Sequence, residues 1–362
     1  MKLITILGTR PELIKLSPLI PLLDQEFENI IIHTGQHYSR ELNDIFFEEL
    51  KLRQPNYHLT IGSGPHGEQT GKMIQQIEKI IIEEKPHAVL IFGDTNSTLA
   101  GAIAATKYTK VIHLEAGCRS RNRTQPEEIN RIVADHCSDF LLTIDTESTT
   151  NLIHEGFKEE QIYQVGNLLE EACIRAKQQA PEFLFNNLNI SPQNYIIATI
   201  HREENTTNTT NLKNIIDALN ILSQQIPILF SLHPRTKNAL EKNNLTLSPN
   251  IKCITPPSYI PFINLLNNSR FIITDSGGVY QEAVFLNIPV LVPRTQIEIN
   301  EFVERGKIKL IGQQTENIVS IATSLIKDNH QLNKIKSIPF QFQNNISTTI
   351  IQIIKEKIQQ EK

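Results

Sequence analysis

The sequence has no tryptophan and only four cysteines, Cys118, Cys137, Cys173 and Cys253, with no CxxC pair among them. Such wide spacing argues against a zinc site or a small disulfide-stapled domain, so the four read as reduced thiols. Long apolar runs are also missing. Stretches such as Ile30-Ile31-Ile32 and Ile80-Ile81-Ile82 fall far short of the roughly 20 residues that span a bilayer, and no membrane partner is expected. Neither sign of charge dominates: 35 Lys and Arg face 39 Asp and Glu, a net charge of −4, which leaves no electrostatic footprint for a nucleic-acid partner. The opening Met1–Gly8 reads as a buried first strand and not as a signal peptide, so a cytoplasmic location is expected. Two phosphate fingerprints, GxGxxG and GxxxxGK[ST], are absent as well, and neither a dinucleotide cofactor nor a P-loop is supported.

What is present is an alternation. At 362 residues the chain exceeds a typical core of roughly 100–200 residues, and two domains are expected. Short β-rich runs at Leu3–Leu7, Asn29–Thr34, Ala88–Phe92, Val111–Glu115, Phe140–Ile144 and Gln161–Val165 are separated by helix-compatible stretches. The pattern restarts with Tyr195–Ile200, Ile228–Leu232, Ile251–Ile254, Phe271–Thr274, Val290–Pro293 and Lys307–Ile311. Strands that alternate with helices make parallel sheets, so the fold class is α/β, with two Rossmann-like doubly wound domains facing a central cleft. The first domain is placed at residues 1–167 and the second at 168–345. The hinge falls in the Asn-rich Gly166–Pro192 stretch, and the helix-compatible 346–362 packs back on the first domain.

Doubly wound folds place ligands at the C-terminal ends of their strands, and several charged groups stand there. Gly8-Thr9-Arg10-Pro11-Glu12 closes the first strand and opens a helix. Its free amides, with Arg10 and Lys15 beside them, form a candidate anion loop, although a solvated helix start explains the spacing equally well. Thr274-Asp275-Ser276-Gly277-Gly278 leads into a second helix, where paired glycines let a diphosphate approach the amides and Glu282 stands one turn further on for a ribose diol. The bland alternative is a turn that Ser276 merely caps. Asp94, Glu115 and Glu127 lie at or just beyond first-domain strand ends, and His201 occupies the matching position in the second. Several carboxylates and a histidine suit proton transfer at carbon. Taken singly, Asp94 could be an N-cap, Glu127 a first-turn charge and His201 a loop hydrogen-bonding group. Glu128, Glu203 and Glu204 read as structural. No HxxxH or clustered Asp arrangement suggests a metal.

In order along the chain, GTRPE, HTGQHY, GDTNSTLAG, HLEAG, PEEINR, HREEN, LHPRT and TDSGG resemble the motifs of the non-hydrolysing UDP-N-acetylglucosamine 2-epimerases, from Gly8 to about Gly312. The resemblance implies a glycosyltransferase-B-type fold and a two-step reaction, in which anti elimination of UDP gives a 2-acetamidoglucal and re-addition from the other face gives the manno epimer. It implies a joint catalytic set of Asp94, Glu115, Glu127 and His201. Arg10, Lys15, Arg131, His233, Phe262, Ser276, Gly277, Gly278, Glu282 and Arg294 would hold the UDP-sugar. It further implies a homodimer; no cofactor and no metal are expected. Arg294 is followed by Thr295-Gln296-Ile297-Glu298-Ile299 without the second arginine that many such enzymes carry about five residues later, as in relatives acting on UDP-2,3-diacetamido-uronic acids. Gln36-His37-Tyr38 stands where some members have Gln-His-Arg, and Phe340–Asn344 replaces a Tyr-Gly-Asp-Gly stretch. A 2-epimerase of a UDP-2,3-diacetamido-uronic acid, a hydrolysing 2-epimerase, a glycosyltransferase on the same scaffold and a non-catalytic UDP-sugar sensor are the rival readings.

Overall fold

The computed structural model describes residues 1–36, 46–179, 188, 190–297, 299–338 and 345–359. The chain divides into two compact units, one formed by 1–172 with 343–362 and the other by 173–342.

The first unit holds β1 (Lys2–Leu7), β2 (Glu28–His33), β3 (Tyr57–His58), β4 (Ala88–Phe92), β5 (Lys110–Ala116), β6 (Phe140–Thr143) and β7 (Ile162–Gln164) in the order β3-β2-β1-β4-β5-β6-β7. Every pairing is parallel. A parallel sheet is covered on both faces, so the middles of its central strands are largely apolar. Ala88–Phe92 is wholly buried. The helix His66–Glu84 buries Met73, Ile77, Ile80 and Ile81, a 3.6-residue stripe that meets Ile4, Ile6, Val89 and Ile91 of the sheet in one core. Each such side chain contributes roughly 1.5–3 kcal/mol of burial. The helix Ile346–Gln359 packs on the helix Ile20–Glu26 of this same unit, and Glu171 accepts hydrogen bonds from the amide and hydroxyl of Ser347.

The second unit repeats the plan with β8 (Ile196–Thr199), β9 (Ile228–Ser231), β10 (Ile251–Ile254), β11 (Ile272–Thr274), β12 (Val290–Val292) and β13 (Ile308–Leu310), ordered β10-β9-β8-β11-β12-β13 and parallel throughout. Both units are therefore parallel-sheet α/β domains. In each, the strand order reverses beside the first strand, between β1 and β4 and between β8 and β11, and the crevice at the carboxyl ends there is the expected ligand position.

The strand missing from the sequence reading is β3, a two-residue edge too short to show a period. Of the Gln36-His37-Tyr38 triplet only Gln36 lies within the described residues, and Phe340–Asn344 lies outside them. Among the described residues no helix is long and apolar enough to cross a membrane. No group of three or more His, Cys, Asp or Glu is arranged there to hold a metal ion.

Candidate active site

At the switch point of the first unit lies a cavity of about 330 Å³ lined by Thr9, Pro11, Glu12 and Lys15 after β1, Phe92, Gly93, Asp94 and Thr95 after β4, and Glu115 in β5. Two of the sequence-selected carboxylates thus share one cavity with a lysine. Glu115 has φ +65°, the left-handed region that costs a non-glycine residue about 1–3 kcal/mol, and the β5–β6 register shifts across it between Leu114 and Ala116. Its carboxylate accepts from Lys15 Nζ at 2.6 and 2.9 Å. Burial works against the Lys15 ammonium, but Glu115 and then Asp94 outweigh it and hold the lysine above its ordinary value.

Asp94 follows Gly93, whose φ of +70° makes the turn. The helix Asn96–Ala105 is capped by Thr95, whose hydroxyl accepts from the Thr98 amide, so Asp94 is not the cap and is left to the cavity. Burial pushes its carboxyl up; Arg131 opposes the shift, while Glu115 and Glu127 add to it. Glu127 is exposed in the first turn of the helix Pro126–His136, near enough to Asp94 for that charge to be felt. Asp94, Glu115 and Glu127 are therefore gathered by one unit.

Two expectations change. The Gly8 and Thr9 amides are not free for an anion, because Glu12 Oε2 accepts from both, at 2.7 and 2.8 Å. Its other oxygen takes the Thr95 hydroxyl at 2.7 Å. The missed signal was the capping box, Thr9 with Glu12 three residues on. Gly8 serves packing: a Cβ there would lie 2.1 Å from both Ser97 Oγ and Thr34 Oγ1. Arg131, read as a substrate cation, is bound to Asp94 and to Glu128. Glu128 also takes the Ser120 and Arg121 amides at 2.8 and 2.9 Å; although burial opposes it, these donors hold its carboxyl below the usual range, which fits its structural reading. Arg10 begins its helix with its guanidinium 4.5 Å from the Phe46 ring.

A buried network that sequence reasoning missed underlies both strand ends. His113 in β5 contacts the Gly93 carbonyl through Nε2 at 2.8 Å and Asp135 through Nδ1 at 2.7 Å. Asp135 also accepts from the Gly117 amide at 3.2 Å and from Arg119 at 2.7 Å. One imidazole and one carboxylate thereby tie the turn before Asp94 to the turn after Glu115. Only the alternation of β5, which points His113 inward, hints at it.

In the second unit the switch point carries His201 after β8 and Asp275-Ser276 after β11. Asp275 is fully buried and accepts from the amides of His201 at 2.9 Å and Arg202 at 3.0 Å and from Asn205 Nδ2 at 2.9 Å. His201 and His233 stack obliquely, centroids 5.3 Å apart. Burial pushes His201 down, Asp275 opposing and His233 adding to the shift; burial and then Arg235 lower His233 as well. His233 is exposed at the N-cap of the helix Pro234–Lys242, its Nδ1 accepting from the Arg235 amide, which leaves Nε2 as the donor.

Ser276 sits at the N-cap of the helix Gly277–Phe285 but makes no side-chain cap bond, so the capping alternative is not realised. A Cβ at Gly278 would meet nothing within 4 Å, and no internal contact among the described residues demands glycine there. Glu282 is buried in that helix, and Phe262 is half-buried in the helix Tyr259–Asn267. Arg294, at the end of β12, is paired with Glu204 at 2.5 Å.

The family model for UDP-N-acetylglucosamine 2-epimerases matches residues 23–355. The chain belongs to that family. It is 45% identical, over 88% of its length and 90% of the other, to a UDP-N-acetylglucosamine 2-epimerase of Methanocaldococcus jannaschii. It is 41% identical, over 92% of its length and 95% of the other, to a UDP-2,3-diacetamido-2,3-dideoxy-D-glucuronate 2-epimerase of Pseudomonas aeruginosa. The crystal structure of the M. jannaschii UDP-GlcNAc 2-epimerase in complex with UDP-GlcNAc and UDP aligns over 98% of this chain and 100% of that one, with TM-score 0.84 and 40% identity. Epimerase chemistry is the frame in which the two switch points are read.

Proposed function

We propose that this protein is a non-hydrolysing 2-epimerase that interconverts UDP-N-acetylglucosamine and UDP-N-acetylmannosamine. The observation that carries the reading is the meeting of Asp94 and Glu115 with Lys15 in one switch-point cavity, in a chain of this family. A base removes the proton from C2, the C1–O bond to UDP breaks, and a C1=C2 double bond forms. UDP then returns to C1 while a proton reaches C2 from the opposite face. Asp94, Glu115, Glu127 and His201 serve these transfers jointly. Burial raises the Asp94 carboxyl above its ordinary value, the direction that suits a group that exchanges protons in the reaction.

The second unit supports the diphosphate. The start of the helix Gly277–Phe285, uncapped by Ser276, offers amides and a positive helix end to an anion. Glu282 is assigned to the ribose. His233 donates through Nε2 and stabilises the charge that grows on departing UDP. Arg10, Phe262 and Arg294 are assigned to the same ligand. Arg131 acts on it through Asp94 and Glu128. A homodimer in the cytoplasm is part of the proposal.

Incubation with UDP-N-acetylglucosamine in heavy water tests it. NMR should show the manno epimer with deuterium at C2 and UDP still attached to the sugar. Free N-acetylmannosamine as the main product would move the protein to the hydrolysing class, and transfer to an acceptor would make it a glycosyltransferase. One observation favours a second reading: the P. aeruginosa relative acts, by name, on a diacetamido-uronate, and the second arginine beyond Arg294 is absent here. Specificity constants for the two nucleotide sugars decide it. A preference of roughly 100-fold for the uronate, about 2.7 kcal/mol of transition-state discrimination, would replace the substrate named above.

A further inference from the structure

We propose that Asp275 is a positioning residue for the epimerisation, one that fixes the His201 loop to the strand end from which the diphosphate loop springs. The inference rests on the catalytic reading of His201. Asp275 is fully buried and lies between β8 and β11, adjacent parallel strands at the switch point. Its carboxylate is met by three donors from the β8 side: the His201 amide reaches both oxygens, at 2.9 and 3.1 Å, and the Arg202 amide and Asn205 side chain reach Oδ2 at 3.0 and 2.9 Å. The Asp275 backbone completes the weld, its amide donating to the Thr199 carbonyl at 3.2 Å and its carbonyl accepting from Arg202 Nε at 3.3 Å. The next residues are Ser276, Gly277 and Gly278.

A buried carboxylate that accepts two main-chain amides of one loop fixes that loop's path, and with it the position of the imidazole. His201 Nδ1 stands 4.0 Å from Asp275 Oδ1, too far for a hydrogen bond and close enough for charge to be felt. The other charged groups acting on the ring are His233 and Arg235, which follow β9, and Arg202 of its own loop; all three disfavour the imidazolium, whereas Asp275 favours it. Removing the Asp275 charge therefore shifts any His201-dependent limb of the pH profile to lower pH.

The test is a double-mutant cycle on kcat. In otherwise native enzyme Asp275→Asn should lower kcat roughly 10- to 100-fold, the scale of a displaced reacting group, and shift that limb to lower pH. In a His201→Asn background the same change should cost little further, because its effect passes through the histidine. Asn205→Ala, which removes one donor and keeps the charge, should lower kcat less, without moving the pH limb, and should also lose its effect in the His201→Asn background; it carries the test if Asp275→Asn does not fold. Equal losses in both backgrounds, or a loss of UDP affinity with kcat unchanged, would overturn the proposal. Full activity of His201→Asn by itself would overturn the catalytic reading beneath it, an outcome distinct from either.

Discussion

The two units solve the same topological problem with opposite economies of backbone amides. Each sheet reverses its strand order beside its first strand, and in each a buried carboxylate crosses the crevice so formed. In the first unit the carboxylate is Glu12, from the β1 side, and it consumes the Gly8 and Thr9 amides and the Thr95 hydroxyl. In the second it is Asp275, from the β11 side, and it consumes the amides of the β8 loop. The two amides just before the helix that starts at Arg10 are therefore taken, while Ser276 makes no side-chain cap bond to the helix that starts at Gly277. One crevice is left with charged side chains and a cavity, which suits proton transfer; the other is left with His201 beside an uncapped helix start, which suits a diphosphate with a titratable group next to it. A shared fold does not settle which groups do chemistry, and on the proposed reading His201 brings a reacting group to the second crevice as well; what the buried carboxylates' hydrogen bonds separate is which backbone amides each crevice leaves open.

The sharpest way to break this contrast is Asp94→Asn. If the first unit carries the proton chemistry, kcat should fall roughly 100- to 10,000-fold, the range for a general acid or base, while UDP affinity stays within about twofold of native. Calorimetric titration with UDP beside steady-state rates checks both. Equal losses of rate and UDP binding would show that the two crevices are not divided in labour.

The converse experiment is Glu282→Ala in the second unit. UDP binding should weaken by about 1.5–3 kcal/mol, the value of hydrogen bonds to a charged group, with kcat at saturating substrate nearly preserved. UDP binding of native strength in this variant would remove Glu282 from the nucleotide site.

Glu12→Ala probes the first weld. Alanine leaves the Gly8 and Thr9 amides and the Thr95 hydroxyl without the carboxylate that now accepts from them. Unfolding of the protein in urea should require about 1–3 kcal/mol less, the cost of an unsatisfied buried group, and kcat should fall because Thr95 follows Asp94 directly. Native stability would mean that the loop after β1 is held by Thr34, Gly8 and Ser97 instead.

Much of this arrangement was written in the sequence, and the parts that were not have identifiable reasons. Apolar runs such as Ala88–Phe92 and Ile228–Ser231 announce buried parallel strands because both sheet faces are covered. Tyr57–His58 pairs with β2 over two residues and carries no period. Asp94, Glu115 and Glu127 could be picked out because strand ends in this topology converge, and they do so here within one unit. The pairings could not: that Arg131 meets Asp94 and that Arg294 meets Glu204 depends on distances between segments 37 and 90 residues apart. The His113–Asp135 link hides for the same reason. The Gly8 amides were misassigned through reading GTRPE by its charges when its Thr-x-x-Glu spacing already named the partner that occupies them.

The last expected effect concerns acid, and it discriminates a structural histidine from the functional pair. His33, at the end of β2, is buried, stacks on His58 at 4.8 Å and accepts the Gly35 amide on Nδ1 at 3.1 Å, a bond that only the unprotonated nitrogen makes. Burial, and then His58, push it down to about 3 from its ordinary 6.5. Between those values the unfolded chain binds a proton that the folded chain refuses, so stability is complete above about pH 6.5 and declines as the pH falls toward 3. The slope approaches 1.4 kcal/mol per pH unit in that window. Urea unfolding at pH 7, 6 and 5 should show the decline, and His33→Gln, which cannot titrate, should flatten it even where its own stability is lower. His201→Asn should leave most of the slope in place, since that ring is partly open to solvent, while reshaping the pH profile of kcat. A slope that disappears in His201→Asn and persists in His33→Gln would place the acid-sensitive histidine in the second unit.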